Sequence, residues 1–144
     1  MQKDTEELNH ELAEAEGVEG FLEDNRENFR EYTLPEYLAV LMKEKGMTKA
    51  EVIVKSQLEQ IYAYHIFAGR KKNPARNKIL ALALALSLTP EEAQRLLYYA
   101  GCERLYVRSS WDSVILYALG HHMGVTDTEM LLLDLMERPL LGRE

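Results

Sequence analysis

Residues 56–76 read SQLEQIYAYHIFAGRKKNPAR, and this stretch carries the strongest structural signal in the chain. Four aromatic or imidazole side chains lie within six positions, and they are Tyr62, Tyr64, His65 and Phe67. Gly69 interrupts the pattern, and four basic residues follow it: Arg70, Lys71, Lys72 and Arg76. Glycine commonly ends helices because it adopts the left-handed backbone conformation without a side-chain clash. The stretch therefore predicts a helix closed by Gly69 and followed by a basic turn, defined here as residues 70–76.

Helix starts with one recurring pattern flank this stretch on both sides. A Ser or Thr N-cap followed three residues later by Glu satisfies two orphan backbone N–H groups at once. The pattern occurs in five pairs: Thr33 with Glu36, Thr48 with Glu51, Ser56 with Glu59, Thr89 with Glu92, and Thr126 with Glu129. With glycine and proline as terminators, it predicts helices at 34–45, 49–56, 59–68, 75–87, 90–100, 111–122 and 127–138. The chain is therefore predicted to be all-α.

Charge is distributed unevenly along the 144 residues, whose net charge is −7. Residues 1–31 hold eleven acidic and three basic side chains, whereas the rest of the chain holds thirteen acidic and fourteen basic ones. Within residues 48–78 there are seven basic side chains and two acidic ones, Glu51 and Glu59. The acidity thus belongs to the N-terminal arm, and the basic middle of the chain is compatible with binding DNA.

Length and composition predict a single domain with an additional arm. We divide the chain into a partly flexible acidic arm at 1–31, a central unit at 32–88, and a helical extension at 89–144 packed on the same domain. The longest apolar run, 79–86, has eight residues, well short of the roughly 20 that span a bilayer. The first thirty residues lack the pattern of a signal peptide, and the single cysteine cannot form an internal disulfide. We therefore expect a cytoplasmic protein that does not bind membranes.

Motifs for catalysis and metal binding are missing from the sequence. It contains no phosphate loop, nucleophile elbow or HExxH pattern. The adjacent histidines, His121 and His122, would point about 100° apart on a helix and therefore could not chelate one metal ion together. We predict no enzymatic activity, no metal site and no cofactor.

The segment LAVLMKEKGMTKAEVIVKSQLEQIYAYHIFAGRKKNPARNKILALALALSL, residues 38–88, resembles the repressor-type (XRE/Cro-like) helix-turn-helix family. As in that family, a first helix ends in glycine, here Gly46, and a capped second helix follows, here at Thr48. A third helix runs to Gly69, and a basic turn leads to a fourth, Leu/Ala-rich helix. The resemblance covers 34–88 and implies a compact bundle of about five helices. Apolar side chains stand at the family's core positions Val52, Leu58, Ala63 and Ile66.

The resemblance also implies a function, because the third helix of such proteins enters the major groove of duplex DNA. Here that helix would be 59–68. The base-reading candidates are Gln60, Ile61, Tyr62 and His65. The phosphate-contact candidates are Lys49, Arg70, Lys71, Lys72 and Arg76. Glu59 would repel phosphate, and we expect it to cap its helix instead. The implied function is sequence-specific binding of double-stranded DNA by a transcriptional regulator of the bacterial or phage repressor type.

Three residues depart from the family pattern. Gln57 stands where glycine is usual between the second and third helices, Phe67 replaces a common glutamate, and Ala63 is smaller than the usual Ile or Val. Together with Glu59, Ile61 and the acidic arm, these departures keep a second function open. The alternative is a helical protein-interaction adaptor or inhibitor that retains the fold without binding DNA.

Large side chains on the polar sides of the C-terminal helices suggest a protein interface. They are Tyr98 and Tyr99 on helix 90–100, and Met130 and Leu133 on helix 127–138. Because aromatic residues and Met are enriched at interfaces, they predict a homodimer or another protein partner. The alternative is that neighbouring helices or the N-terminal arm cover them.

Overall fold

The computed structural model describes residues 3–29 and 31–142, without the side chains of Glu27 and Phe29. Over these residues the regular elements are all helical, as predicted. They are α1 (Thr5–Glu14), α2 (Val18–Asp24), a 3₁₀ turn (Arg26–Phe29), α3 (Leu34–Lys45), α4 (Lys49–Ser56), α5 (Gln60–Phe67), α6 (Arg76–Ala85), α7 (Pro90–Tyr99), α8 (Ser110–Gly120) and α9 (Val125–Asp134). The chain divides into two compact units, Met1–Tyr32 and Thr33–Glu144. Residues 1, 2, 143 and 144, at the ends of the predicted arm and extension, lie outside the described residues.

The N-terminal unit consists of α1, α2 and the 3₁₀ turn, with the buried side chain of Asn25 between them. Its Nδ2 donates to Glu11 Oε2 (2.8 Å) and to the Phe21 carbonyl (3.0 Å). Its Oδ1 accepts from Lys3 Nζ at 2.8 Å, and the same ammonium also pairs with Glu11. The acidic arm, expected to be partly flexible, is therefore built of regular helices around one amide. Its flexibility stays a prediction.

Three of the five predicted capping boxes form, at the starts of α3, α4 and α7. At α7, the Glu92 N–H donates to Thr89 Oγ1 (3.2 Å) and the Thr89 N–H donates to Glu92 Oε1 (2.9 Å). Pro35 and Pro90 occupy the first turns of α3 and α7, where the missing N–H costs little. These reciprocal bonds explain why the three helices begin at the predicted residues.

The capping box predicted at Ser56 is wrong. The buried Ser56 hydroxyl donates to the Ile53 carbonyl (2.7 Å) and accepts from the Leu58 N–H (3.2 Å), so it closes the turn that follows α4. Glu59 is itself the N-cap of α5, and its carboxylate accepts from the Tyr62 N–H at 2.7 Å. The expectation that Glu59 caps its helix is thereby confirmed.

The capping box predicted at Thr126 is also wrong, because α9 begins two residues earlier with Gly124 as its N-cap. The Glu129 carboxylate instead accepts from the backbone N–H groups of Leu140 (2.6 Å) and Leu141 (3.0 Å). The Glu129 carboxylate, which the sequence pattern assigned to the N-cap, is therefore bound by the segment that follows α9. As a result the observed helix runs from Val125 to Asp134, whereas 127–138 was predicted.

The hydrophobic core is organised around α6, in which all seven residues from Ile79 to Ala85 are buried. This helix contacts α4, α7, α8 and α9. Because Leu and Ala alternate, neighbouring helices can approach α6 closely at the Ala positions. Each buried Leu contributes about 2 kcal/mol of hydrophobic stabilisation. The core positions predicted by type, Val52, Leu58, Ala63 and Ile66, are all buried.

The C-terminal helices α7–α9 belong to the same compact unit as α3–α6. Lys45 Nζ lies 2.9 Å from Glu92 Oε1 and thereby joins α3 to α7. Asn77 Nδ2 donates to the Leu140 carbonyl at 3.0 Å, which holds the segment after α9 against α6. In the described part of the chain, no helix combines the length and apolar character that crossing a membrane would need.

Candidate nucleic-acid interface

Helix α5 presents one face to solvent and the opposite face to the core. Ala63, Ile66 and Phe67 are buried, whereas Gln60, Ile61 and His65 are exposed. Of the four predicted base-reading residues, these three share a surface, with Ile61 65% exposed. An exposed aliphatic side chain between two polar ones can contact a thymine methyl while its neighbours form hydrogen bonds with base edges.

Tyr64 belongs to this exposed face and was not among the predicted base-reading residues. It is 40% exposed, and it lies four positions after Gln60 and three after Ile61, the spacing that places side chains on one side of a helix. That spacing could have identified it. The exposed face of α5 is defined below as Gln60, Ile61, Tyr64 and His65.

Tyr62, in contrast, lies at the edge of the exposed face and is half-buried. Its hydroxyl accepts from the Ala75 N–H at 3.4 Å, close to the start of α6. The ammonium groups of Lys71 and Lys78 lie 5.5 Å and 5.4 Å from the centroid of its ring. Tyr62 therefore contacts the basic turn and α6, whereas we predicted that it would read a base.

The two acidic residues near this face accept hydrogen bonds from backbone N–H groups at helix starts. Glu59 caps α5, and the Glu51 carboxylate accepts from the Thr48 N–H at 3.0 Å. The backbone and side-chain hydrogen bonds to Thr48 lower the pKa of Glu51 below its ordinary value. Both acids are thus directed at backbone donors, which reduces their repulsion of an approaching polyanion.

Four of the predicted phosphate contacts are exposed: Lys49, Arg70, Lys71 and Lys72. The Lys49 ammonium lies 5.7 Å from the centroid of the Phe67 ring, which brings it to the C-terminal end of α5, where the basic turn begins. Within residues 3–29 and 31–142, none of the four forms an ion pair with a carboxylate. Their charges are therefore available to an external anion.

The prediction that Arg76 contacts phosphate is not supported by the structure. Its guanidinium donates from Nη1 and Nη2 to the two carboxylate oxygens of Asp112, at 3.1 Å and 2.8 Å. Its Nε and Nη2 also donate to the carbonyls of Glu103 (2.9 Å) and Arg104 (3.1 Å). Four of the five N–H groups of an arginine are thereby used inside the protein. We remove Arg76 from the phosphate-contact candidates.

Asp112 is the internal partner that the sequence did not identify. Its side chain is 9% exposed, against 23% for Arg76. Burial by itself raises the pKa of Asp112, but the hydrogen bonds from Arg76 and from the Tyr106 N–H outweigh it and leave the pKa below its ordinary value. The pair stays ionised at neutral pH and fixes the start of α6 to the first turn of α8.

The turn between α4 and α5 has a left-handed residue that is not glycine. Gln57 has φ of 60°, the conformation for which the helix-turn-helix family usually employs glycine. That conformation costs a residue with a side chain roughly 1 kcal/mol. The side chain is used, because Nε2 of Gln57 donates to Thr126 Oγ1 at 2.5 Å. The extension is therefore bonded directly to the turn that orients α5.

The four residues of the predicted partner surface differ in their exposure to solvent. Tyr98, Met130 and Leu133 are exposed. Tyr99 is half-buried and its ring centroid lies 4.7 Å from that of Tyr37 on α3, so it is packed within the unit. Three of the four residues therefore stay candidates for an interface.

In the described part of the chain, no three His, Cys, Asp or Glu side chains come together in a way that could hold a metal ion. Comparison with known proteins gave no match: no family model, curated protein or solved structure is similar to this chain.

Proposed function

We propose that this protein binds double-stranded DNA sequence-specifically, as a transcriptional regulator, with α5 in the major groove. The observation that carries the proposal is the combination of an exposed helix face with four nearby cations that have no carboxylate partner among the described residues. A solvated helix of two turns fits the width of the major groove, and such Lys and Arg side chains can bind phosphates without breaking an internal ion pair.

Each group has a distinct role in this proposal. Gln60 would form two hydrogen bonds with adenine, Ile61 would contact a thymine methyl, and Tyr64 or His65 would reach base edges or phosphates. Lys49, Arg70, Lys71 and Lys72 would bind phosphate oxygens and set the position of α5 without reading sequence.

Selection from a random-sequence duplex pool, at low and moderate salt, tests the proposal. We expect the wild type to enrich a motif and its affinity to fall steeply with salt. Lys71→Ala/Lys72→Ala should weaken the affinity for all duplex sequences about 10-fold and reduce the slope of log K against log salt by about 2. Gln60→Ala should instead relax the preference at one base pair, with little change in the slope. No binding by the wild type at low salt would refute the proposal.

A protein-interaction adaptor is the second candidate function, and exposed apolar side chains favour it. Val54 on α4 is 76% exposed, and a groove of about 260 Å³ lies between α4 and α5 beside Ile53, Leu58 and Tyr64. Aliphatic exposure of this kind is typical of surfaces that bind apolar partners. Failure to bind duplex, combined with loss of a protein partner in Val54→Lys, would support this candidate.

Homodimerisation through Tyr98, Met130 and Leu133 is proposed as a separate property. Two-fold symmetric proteins bind two half-sites of a palindromic operator, and such side chains are common at protein interfaces. Light scattering at tens of micromolar should give the mass of a dimer, and Leu133→Lys should reduce it to that of a monomer. A wild-type protein that is monomeric under these conditions would refute this proposal.

A further inference from the structure

Three separate elements meet at the ring of Tyr62. The ring itself comes from α5, Lys71 from the basic turn, and Lys78 from the first turn of α6. The two ammonium groups lie 5.5 Å and 5.4 Å from the ring centroid. Both distances are within the roughly 6 Å at which the face of an aromatic ring attracts a cation.

Two like charges held around one ring need an explanation, because lysine ammonium groups repel each other. Within the described residues no carboxylate pairs with Lys71 or Lys78. The ring attracts both cations through its quadrupole but does not neutralise them. The arrangement therefore holds two cations at one ring without a carboxylate partner in the described residues, and an anion with several oxygens could bind both.

The position of the ring also fixes the surrounding backbone. The Tyr62 hydroxyl accepts from the Ala75 N–H at 3.4 Å, near the end of the basic turn. Arg76 is anchored on Asp112 directly after this point. The Lys71 N–H donates to the His65 carbonyl at 3.3 Å and the Lys78 N–H donates to the Ala75 carbonyl at 3.0 Å, so the backbone is held at each lysine. The lysine stems consequently start from fixed positions, which reduces the conformational entropy lost when the ammonium groups bind a ligand.

We propose that Lys71 and Lys78 together bind a phosphodiester of the DNA backbone, and that Tyr62 is the positioning residue that holds their ammonium groups in place. This proposal rests on the proposed DNA binding and adds to it a phosphate contact, Lys78, that lies outside the basic turn. It also gives Tyr62 a role other than base reading. An exposed cation–ring contact contributes enough to change affinity about two- to fivefold.

The test is a salt titration of duplex binding for Tyr62→Phe, Tyr62→Leu and Lys78→Gln. Tyr62→Phe retains the ring and should keep the wild-type slope of log K against log salt. Lys78→Gln should make the slope shallower by about 1, as expected for one lost phosphate contact. Tyr62→Leu should behave like Lys78→Gln and weaken binding about fivefold, because both ammonium groups lose their support.

Arg138→Gln is the matched control. The Arg138 guanidinium lies 4.9 Å from the centroid of the Trp111 ring, so this variant removes one cation and one cation–ring contact of the same kind in the extension. We expect it to leave the slope unchanged. If Tyr62→Leu keeps the wild-type slope, or Lys78→Gln matches Arg138→Gln, the shared phosphate site is refuted while DNA binding stands. If the wild type binds no duplex at low salt, both proposals fail.

Discussion

The basic turn has an outer and an inner end, and the two ends use the same kind of charge in opposite ways. At the outer end, Lys71 and Lys72 are exposed and have no carboxylate partner within the described residues. At the inner end, only a few positions further along, Arg76 uses four N–H groups on Asp112 and two carbonyls. The outer end is available to a ligand, and the inner end holds the fold together.

A run of basic residues is therefore not one functional unit. A lysine on a flexible stem in water keeps its charge for an external anion at little cost. An arginine that loses most of its hydration must find fixed acceptors, and a bidentate carboxylate with two carbonyls provides them. Removing charge at the outer end should therefore change binding, whereas removing it at the inner end should change stability.

The largest effect is expected where the inner end loses its partner. Asp112→Asn leaves the Arg76 charge without its counterion and should lower the free energy of unfolding by about 3 kcal/mol, the low end for a broken buried pair. We choose the low end because 23% of the Arg76 side chain is exposed. Urea unfolding followed by circular dichroism measures the change.

Two further variants separate the effects of the outer and inner ends. Lys71→Gln, at the outer end, should change the free energy of unfolding by less than about 0.5 kcal/mol. The double variant Arg76→Met/Asp112→Leu should recover part of the loss, because no unpaired charge is left. The recovery is partial because the carbonyls of Glu103 and Arg104 and the Tyr106 N–H lose their partners. A loss in Lys71→Gln as large as that in Asp112→Asn would remove the distinction between the two ends.

The second prediction concerns the pH dependence of the inner pair. Because the pKa of Asp112 is lower in the folded protein than in the unfolded chain, the pair contributes its stability above the unfolded pKa of about 4. This contribution is lost as pH falls through the folded pKa. The difference in unfolding free energy between wild type and Asp112→Asn should therefore be constant from pH 7 to 5 and shrink towards pH 3. A difference that is independent of pH would contradict the ionised pair.

A smaller effect separates a helix start that the sequence predicted correctly from one that it did not. Thr89→Ala removes a formed capping box at α7 and should cost about 1 kcal/mol. Thr126→Ala removes no cap, because Gly124 begins α9, and loses only the exposed bond to Gln57. It should cost less than about 0.5 kcal/mol. Equal losses in thermal or urea unfolding would mean that Thr126 does cap α9.

Much of the fold could be predicted because local chemistry decides it. Thr33, Thr48 and Thr89 start their helices with bonds made inside a single turn, so residues three positions apart contain the whole signal. Glycines with positive φ end others, as at Gly46 and Gly69. The Leu/Ala-rich segment forms a helix at Arg76–Ala85, within the predicted range 75–87.

Two of the failures share one cause, which is a partner far away in the sequence. Asp112 lies 36 residues after the arginine that it binds. The Glu129 carboxylate, predicted to belong to a capping box, accepts instead from the N–H of Leu140, 11 residues further along the chain. Neither bond has a local pattern. Tyr64 was missed for a different reason, because its helical spacing from Gln60 and Ile61 was not used to place it on the exposed face.

The burial of α6 on every side determines the smallest piece of this protein that can fold. A chain ended after residue 88 would keep all four helices of the helix-turn-helix resemblance, yet it would expose to water the side of α6 that contacts α7, α8 and α9. The amide hydrogens of Ile79–Ala85 should consequently exchange with solvent only when the whole unit opens. The extension is in this sense the second half of one cooperative unit, and the proposed DNA-binding face cannot be isolated from it by shortening the chain.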